Sequence, residues 1–345
     1  MSDPALDALF LPFEQRLLPW PSGGALFLRA RAGVATTGGR WPGLLCAQSF
    51  APAHAELQRA GFDTLPVDSE DALPQRPLVL VLPPRQRDEA RAELARAVQA
   101  TAPGGWVVAS VANDEGAKSA QDDLAKLAGN IAVQSKHKCR VFWAQRDDRA
   151  DTALLERWAA LDAPRPILDG RFASRPGVFA WDRIDPASAL LVAQLPHTLS
   201  GHVADLGAGY GYLSAELLQR CTGIRALDVV EAEGRALALA RRNLAGLRDD
   251  VTLDFQWADV TRGLSRRFDA IVSNPPFHAQ GRSERPDIGR LFIAAAAGAL
   301  KPGGQLWLVA NRHLPYEDIL DARFSQVREV AAHGGFKIVH AEQPR

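Results

Sequence analysis

Ser273-Asn274-Pro275-Pro276-Phe277-His278 follows the apolar run Asp269–Ser273. Two consecutive prolines hold the backbone extended and push the residue before them into the β/polyproline region. The Asn274 amide and the Pro275 carbonyl are thereby fixed as two aligned acceptors. They match the two hydrogens of a planar exocyclic NH2. Accepting from both favours a pyramidal nitrogen and frees a lone pair otherwise delocalised into a ring, so the amine becomes nucleophilic. Phe277 offers a face on which a base can stack. A turn alone explains two prolines, but not an Asn, a Phe and a strand end together. His278 as a general base is set aside, because a lone loop histidine is more often structural.

A second candidate lies upstream. Val203-Ala204-Asp205-Leu206-Gly207-Ala208-Gly209-Tyr210-Gly211 is an apolar strand running into a glycine-rich turn, with a helix pattern over Tyr212–Arg220 behind it. Glycines adopt positive φ and let backbone approach a ligand closely. Nucleotide-type ligands bind at the carboxyl ends of such strands. The spacing is G-x-G-x-G with no following Lys-Ser/Thr, which excludes a P-loop. Asp205, opening the turn, would repel a pyrophosphate and suits a ligand carrying an ammonium and a sulfonium. About 20 residues further on, such a site needs a carboxylate for ribose hydroxyls. Asp228 and Glu231 compete for that role. Glu231, at the strand's end and before the helix pattern Ala236–Asn243, is preferred; Asp228 lies inside the strand, where a buried, paired carboxylate is the alternative. Asp259 ends the next strand, where it either accepts an adenine amino group or caps a turn.

These turns need a parallel sheet to hold them, and the chain supplies the pattern for one twice. In the second half, strands are expected at His202–Leu206, Ile224–Val230, Val251–Trp257, Phe268–Ser273 and Gln305–Ala310, and a hairpin closes the chain through His333-Gly334-Gly335. In the first half, Leu78–Leu82 and Trp106–Val111 read as strands, Asp88–Ala100 as an amphipathic helix and Pro103-Gly104-Gly105 as a turn. Both halves run strand, Pro-Pro, helix, Pro-Gly-Gly, strand, Ala-Asn, from Val79 to Asn113 and again from Ala270 to Asn311. The shared order of these features indicates a duplicated domain. The copies differ where chemistry would sit. The first has Leu82 in place of Asn274, and its stretch Gly43–Gln48, read as the counterpart of the glycine-rich turn, has no such turn. The expected division is a degenerate domain over 1–160, a proline-rich linker over 161–186 and a catalytic domain over 187–345.

Composition agrees with two soluble domains. The chain has 345 residues, 47% hydrophobic and 23% charged, against roughly 150 residues for an average domain. Lys+Arg and Asp+Glu are both 40, which argues against a strongly basic nucleic-acid coat but leaves room for a local basic patch. Cys46, Cys139 and Cys221 are odd in number and form no CxxC pair, so no metal site and a reducing compartment are expected. The N-terminus opens acidic, unlike a signal peptide, and the apolar stretch Leu291–Leu300 is about half of what a bilayer requires. A cytoplasmic protein without a membrane segment is expected.

The motifs together carry a specific likeness. Asp205-x-Gly207-x-Gly209-x-Gly211 resembles the cofactor motif of class I S-adenosylmethionine-dependent methyltransferases, and Asn274-Pro275-Pro276-Phe277 the N-P-P-F/Y signature of those that modify exocyclic amines. Val309-Ala310-Asn311, Leu314-Pro315-Tyr316 and Arg175-Pro176-Gly177-Val178-Phe179 are similar to the "methyltransferase small" group of ribosomal RNA guanine-N2 enzymes, and Gly335-Phe336-Lys337-Ile338 to its small-subunit (16S) branch. The likeness implies an α/β fold of two Rossmann-like class I methyltransferase domains in tandem, with mostly parallel sheets and a C-terminal antiparallel hairpin. It implies that Gly207, Gly209 and Glu231 bind S-adenosylmethionine and that Asn274 and Phe277 serve the target base. The substrate it implies is 16S rRNA or the 30S subunit. Alternatives are a 23S rRNA guanine-N2 enzyme, a protein glutamine methyltransferase and an RNA-binding assembly factor without activity. Lys136, Lys138 and Arg140, in the densest basic run, and Arg175 are the candidate RNA contacts.

Overall fold

The computed structural model describes residues 3–37, 39–66, 73–147, 151–276 and 286–344. The chain divides into two units, Met1–Ala163 with Arg175–Gly177, and Pro164–Ser174 with Val178–Arg345.

The first unit holds β1 (Ala25–Leu28), β2 (Leu44–Ala47), β3 (Asp63–Thr64), β4 (Arg76–Val81), β5 (Thr101–Ala112), β6 (Ala132–Lys136) and β7 (Cys139–Gln145). Its helices are α1 (Pro4–Glu14), α2 (Ala51–Arg59), α3 (Arg87–Ala100), α4 (Ala117–Ala128) and α5 (Thr152–Ala159). The sheet order is β3-β2-β1-β4-β5-β7-β6. Strands β3 to β5 pair in parallel, and β7 and β6 close the edge antiparallel.

The second unit opens with the short antiparallel pair β8 (Arg165–Ile167) and β9 (Phe172–Ser174). Its main strands are β10 (Ser200–Leu206), β11 (Gly223–Glu231), β12 (Thr252–Trp257), β13 (Phe268–Ser273), β14 (Leu300–Asn311), β15 (Phe324–His333) and β16 (Phe336–Pro344). Its helices are α6 (Pro186–Gln194), α7 (Tyr212–Arg220), α8 (Gly234–Leu244), α9 (Pro286–Ala299) and α10 (Glu317–Arg323). The order β12-β11-β10-β13-β14-β16-β15 repeats that of the first unit strand for strand. β5 and β14 even share one burial pattern along all twelve residues.

The Pro-Gly-Gly segments differ from expectation in a small way. They lie inside β5 and β14 rather than before them, looped out where Arg76 pairs Thr101 but Leu78 pairs Trp106. Gly104 and Gly303 take φ of 75° and 76° there, a left-handed bend that suits a residue without Cβ. The stretch 161–186, read above as a linker, carries β8, β9 and the N-cap of α6, and its residues are shared between the two units.

The central parallel strands β10, β11 and β13 are buried on both faces along their carboxyl halves, as strands covered by helices must be. Val203 and Val229 pack with Leu191, Leu213 and Leu237 on one side. Ala204, Leu206 and Ile271 pack with Ile293 and Leu320 on the other. Alternation along β10 therefore puts Asp205 on the Val203 side, toward α7. The strand order reverses at β10, between β11 and β13, and this switch point is where open α/β sheets bind ligands.

Candidate active site

The two motifs meet at the carboxyl ends of β10 and β13. Leu206 pairs with Ser273, so the glycine-rich turn and Asn274 leave adjacent strands at the same level. Ser273 Oγ donates to the Leu206 carbonyl at 2.7 Å and ties the two strand ends together. Beside them is an open cleft of about 390 Å³, whose lining includes Gly207, Gly209, Tyr210, Asn274, Asp185 and Ser188.

Gly207, Gly209 and Gly211 all have left-handed φ, 77°, 58° and 94°. A Cβ on Gly209 would meet no atom within 4 Å. Gly211 does different work from its expected role as a cofactor contact. It is the N-cap of α7, and a Cβ there would lie 3.2 Å from Ala240, so it permits α7 and α8 to approach. Asn243 of α8 pins the turn by donating to the Tyr210 carbonyl at 2.8 Å.

Asp205 is 0% exposed, beneath the turn rather than facing the cleft. Its Oδ2 accepts from Ser214 Oγ at 2.7 Å, and its Oδ1 has no partner among the described residues. Burial pushes its carboxyl up to about 7, the Ser214 hydrogen bond pulls it down, and the Glu231 charge raises it. A raised acid contributes stability that is complete below its unfolded value of 3.8 and lost as pH climbs through about 7. The expected result is that the native chain loses on the order of 4 kcal/mol from this group between those limits. Asp205→Asn should lack that slope, so Tm measured at pH 5 and pH 8 should converge or cross between the two proteins. Parallel Tm–pH curves would contradict it.

Asp228 and Glu231 differ in where they sit. Asp228 is 1% exposed and accepts from His202 Nε2 at 2.7 Å, from Gln256 Nε2 at 2.7 Å and from Arg266 Nη1 at 3.2 Å. It is a paired structural carboxylate. Glu231 reaches the glycine-rich turn, where Oε2 accepts from the Gly209 N–H at 2.8 Å and Oε1 from the Glu233 N–H at 2.8 Å. Enclosure by protein raises the Glu231 carboxyl above its ordinary value, and these N–H groups pull it down. A carboxylate has lone pairs for two hydroxyls beyond those two bonds. Asp259 caps a short 3-10 turn, Oδ1 accepting from the Thr261 N–H at 3.0 Å and Oγ1 at 2.6 Å.

Asn274 has its amide nitrogen engaged, donating to Asp185 Oδ2 at 3.0 Å and to Ser188 Oγ at 2.8 Å. Its Oδ1 is buried and has no partner among the described residues. Pro275 is buried beside it. Phe277 and His278 lie outside the described residues. Phe179 also lines the cleft and is 65% exposed, an aromatic face at the rim, followed by Ala180 at φ 48°.

Sequence reasoning missed Asp185, Ser188 and the place of Phe179. The only available signal was Asp185-Pro186-x-Ser188, an N-cap with proline in the first turn, which marks a helix start and nothing more.

Arg175 is corrected. It is 9% exposed, with Nη2 on Asp162 Oδ2 at 2.9 Å and Nε on the Asp162 carbonyl at 2.7 Å. A guanidinium buried in such a pair does not meet phosphates. Lys136 and Lys138 are exposed, and Arg140 donates to Gln121 Oε1 at 2.7 Å.

Among the described residues, the first unit has no equivalent cradle. The counterpart of the glycine-rich turn is the residue run after β1, not Gly43–Gln48, which belongs to β2 and so matches β11. Arg29 stands where Gly207 stands, with φ 54° against 77°. Its guanidinium pairs with Glu89 at 2.9 Å, and Leu82 takes the place of Asn274.

A doubly wound sheet with a positive-φ glycine turn, an acid beyond the second strand and an Asn-Pro-Pro after the fourth defines a class I methyltransferase. The methyltransferase small domain family matches residues 169–340. The ribosomal RNA small subunit methyltransferase C of Sodalis glossinidius is 32% identical over 262 residues, 75% of this chain and 71% of the relative. That of Salmonella typhi is 33% identical over 259 residues, 74% and 72% of the two chains. A T. thermophilus 16S rRNA N2 methyltransferase, solved in complex with AdoMet and guanosine, superposes with TM-score 0.80 at 25% identity, covering 99% of this chain and 92% of that one. The chain belongs to the ribosomal RNA small subunit methyltransferase C family.

Among the described residues, no group of three or more His, Cys, Asp or Glu is placed to hold a metal ion. None of their helices is long and apolar enough to cross a membrane.

Proposed function

We propose that this protein methylates the exocyclic N2 of a guanosine in 16S ribosomal RNA, using S-adenosylmethionine, and acts on the 30S subunit or its RNA in the cytoplasm. The observation that carries this is the buried Asn274 Oδ1 beside the glycine-rich turn, without a partner among the described residues. The reading is further supported by the relatives' name and by the AdoMet and guanosine in the related structure.

The residues present fit the cofactor. The cleft has open space over Gly209, Glu231 holds the Gly209 N–H behind the turn, and no cation stands among the lining residues to meet a pyrophosphate. Gly207, Gly209 and Glu231 would hold it, with Asp259 toward the adenine. When bound, it supplies a methyl carbon made electrophilic by the sulfonium, which the guanine N2 lone pair takes with loss of a neutral thioether and one amine proton. Asn274 Oδ1 and the Pro275 carbonyl accept the amine hydrogens and hold the nitrogen for in-line attack, a gain from positioning. Phe179 offers a stacking face for a guanine drawn out of its helix, the role the sequence motif gives Phe277. The test is labelled methyl transfer. Label is expected in 16S rRNA of 30S subunits as N2-methylguanosine. Label in 23S rRNA or in a release factor, or none anywhere, overturns the reading.

The first unit is proposed to be non-catalytic and to dock RNA through the β6–β7 hairpin. His137 and Lys138 form its tip with φ of 54° and 58°, the geometry that Gly334-Gly335 adopt in the β15–β16 hairpin at 59° and 87°. Left-handed backbone costs a non-glycine residue about 1–2 kcal/mol. Retained strain that displays basic side chains supports an interaction role. Lys136→Ala with Lys138→Ala is expected to raise the KM for RNA and to reduce the slope of log K against log salt by roughly one per residue. Cofactor affinity should not change. Wild-type affinity and slope would remove the hairpin from the interface.

A further inference from the structure

We infer that Asp185 and Ser188 are positioning residues for the reaction, which lock the Asn274 amide so that only its oxygen faces the incoming amine. The inference rests on the methyl-transfer reading and assigns a task to two side chains at that site.

An asparagine amide is nearly symmetric in shape, and its two orientations differ by which end offers hydrogens. Presented nitrogen first, Asn274 would oppose donor to donor against an NH2 group. The sequence of Asn-Pro-Pro does not decide between the two. The neighbours do. Both Nδ2 hydrogens are used, one on Asp185 Oδ2 at 3.0 Å and one on Ser188 Oγ at 2.8 Å. A flipped amide would set its oxygen against the Asp185 carboxylate, which only accepts. The oxygen left facing away is buried and unpartnered among the described residues.

Asp185 is itself held. It is the N-cap of α6, its Oδ2 accepting from the Ser188 N–H at 2.9 Å, with Pro186 in the first turn. Capping needs one carboxylate oxygen and no hydroxyl at Ser188. The further bonds to a residue 89 positions away are beyond what the helix requires. The site thus carries an acceptor whose direction is set before substrate arrives, which is the form of preorganisation that raises a rate without raising affinity.

The test uses the full chain with Asp185→Ala, Ser188→Ala and Asp185→Asn. Asp185→Ala should lower kcat by on the order of 10–100-fold with KM for RNA and cofactor Kd within about twofold. Asp185→Asn, which keeps an oxygen at the cap, should restore most of it. In an Asn274→Ala background, Asp185→Ala should add no further loss, because its action passes through the missing amide. Ser188→Ala leaves the cap intact and should show a smaller loss of the same kind, which covers the case of Asp185→Ala failing to fold. Independent of activity, the Asn274 side-chain NH2 hydrogens should exchange slowly in the native protein and fast in the alanine variants, read by NMR of labelled asparagine. Multiplying losses in the double variant, or a native amide that exchanges freely, would overturn the clamp. Absence of methyl transfer by the native protein would overturn the function reading instead, and amide exchange would still decide the clamp.

Discussion

Asn274→Ala is expected to lower the rate of methyl transfer by on the order of 10²–10³ while leaving cofactor affinity nearly unchanged. The side chain lies at the end of β13 with its nitrogen bound by Asp185 and Ser188, so its free oxygen is what it has to offer a substrate. Losing one preorganised acceptor removes a contact that matters most when charge develops on the nitrogen. The proposed cofactor contacts are the turn after β10 and Glu231, which the substitution does not touch. Single-turnover transfer and calorimetric titration with S-adenosylmethionine measure the two effects separately. A folded variant with near-native turnover would end the proposed role.

Gly209→Val is expected to abolish cofactor binding. Its φ of 58° is a conformation that a β-branched residue strongly resists, with strain on the order of 1–3 kcal/mol. The added side chain would enter the open space above the turn, where its Cβ would meet no atom of the other described residues within 4 Å. It would thus fill the volume a ligand needs, and relaxing the strain would pull the Gly209 N–H from Glu231 Oε2. Native protein should titrate with one equivalent of cofactor and the variant with none, at a modestly lower Tm. An equivalent bound by the variant would locate a site in the first unit, against the Arg29–Glu89 pair and Leu82 found there.

Local signals carried much of this architecture. Strand β13 begins and ends where the apolar run does, and the Gly334-Gly335 hairpin falls where a two-residue glycine turn predicts it. The repeat was readable because duplicated sheets keep the same turn residues, and both sheets have one strand order. Where reading failed, the cause was nonlocal. In sequence, Gly43–Gln48 reads as the counterpart of the glycine-rich turn because it is a strand at a plausible spacing. The true counterpart, Arg29 after β1, lacks any glycine signal, since an arginine paired with Glu89 takes the left-handed position there. Arg175 looked like a surface cation because its partner Asp162 is recognisable only once folded.

By itself the sequence determined the class of chemistry: an NH2-directed Asn-Pro-Pro, a glycine-rich turn unsuited to pyrophosphate, and two copies of which one keeps both. Those follow from backbone stereochemistry and side-chain type, which act within a few residues. Tertiary structure alone decided which groups have free valence. It buried Asp205 with an unpartnered oxygen, engaged Asp228 with His202, Gln256 and Arg266, and turned Glu231 to the Gly209 N–H. It also brought Asp185 and Ser188 against Asn274. The physical reason is that hydrogen-bond satisfaction and desolvation depend on what packs across the sheet, and residues far apart in sequence meet only when β10 and β13 lie side by side.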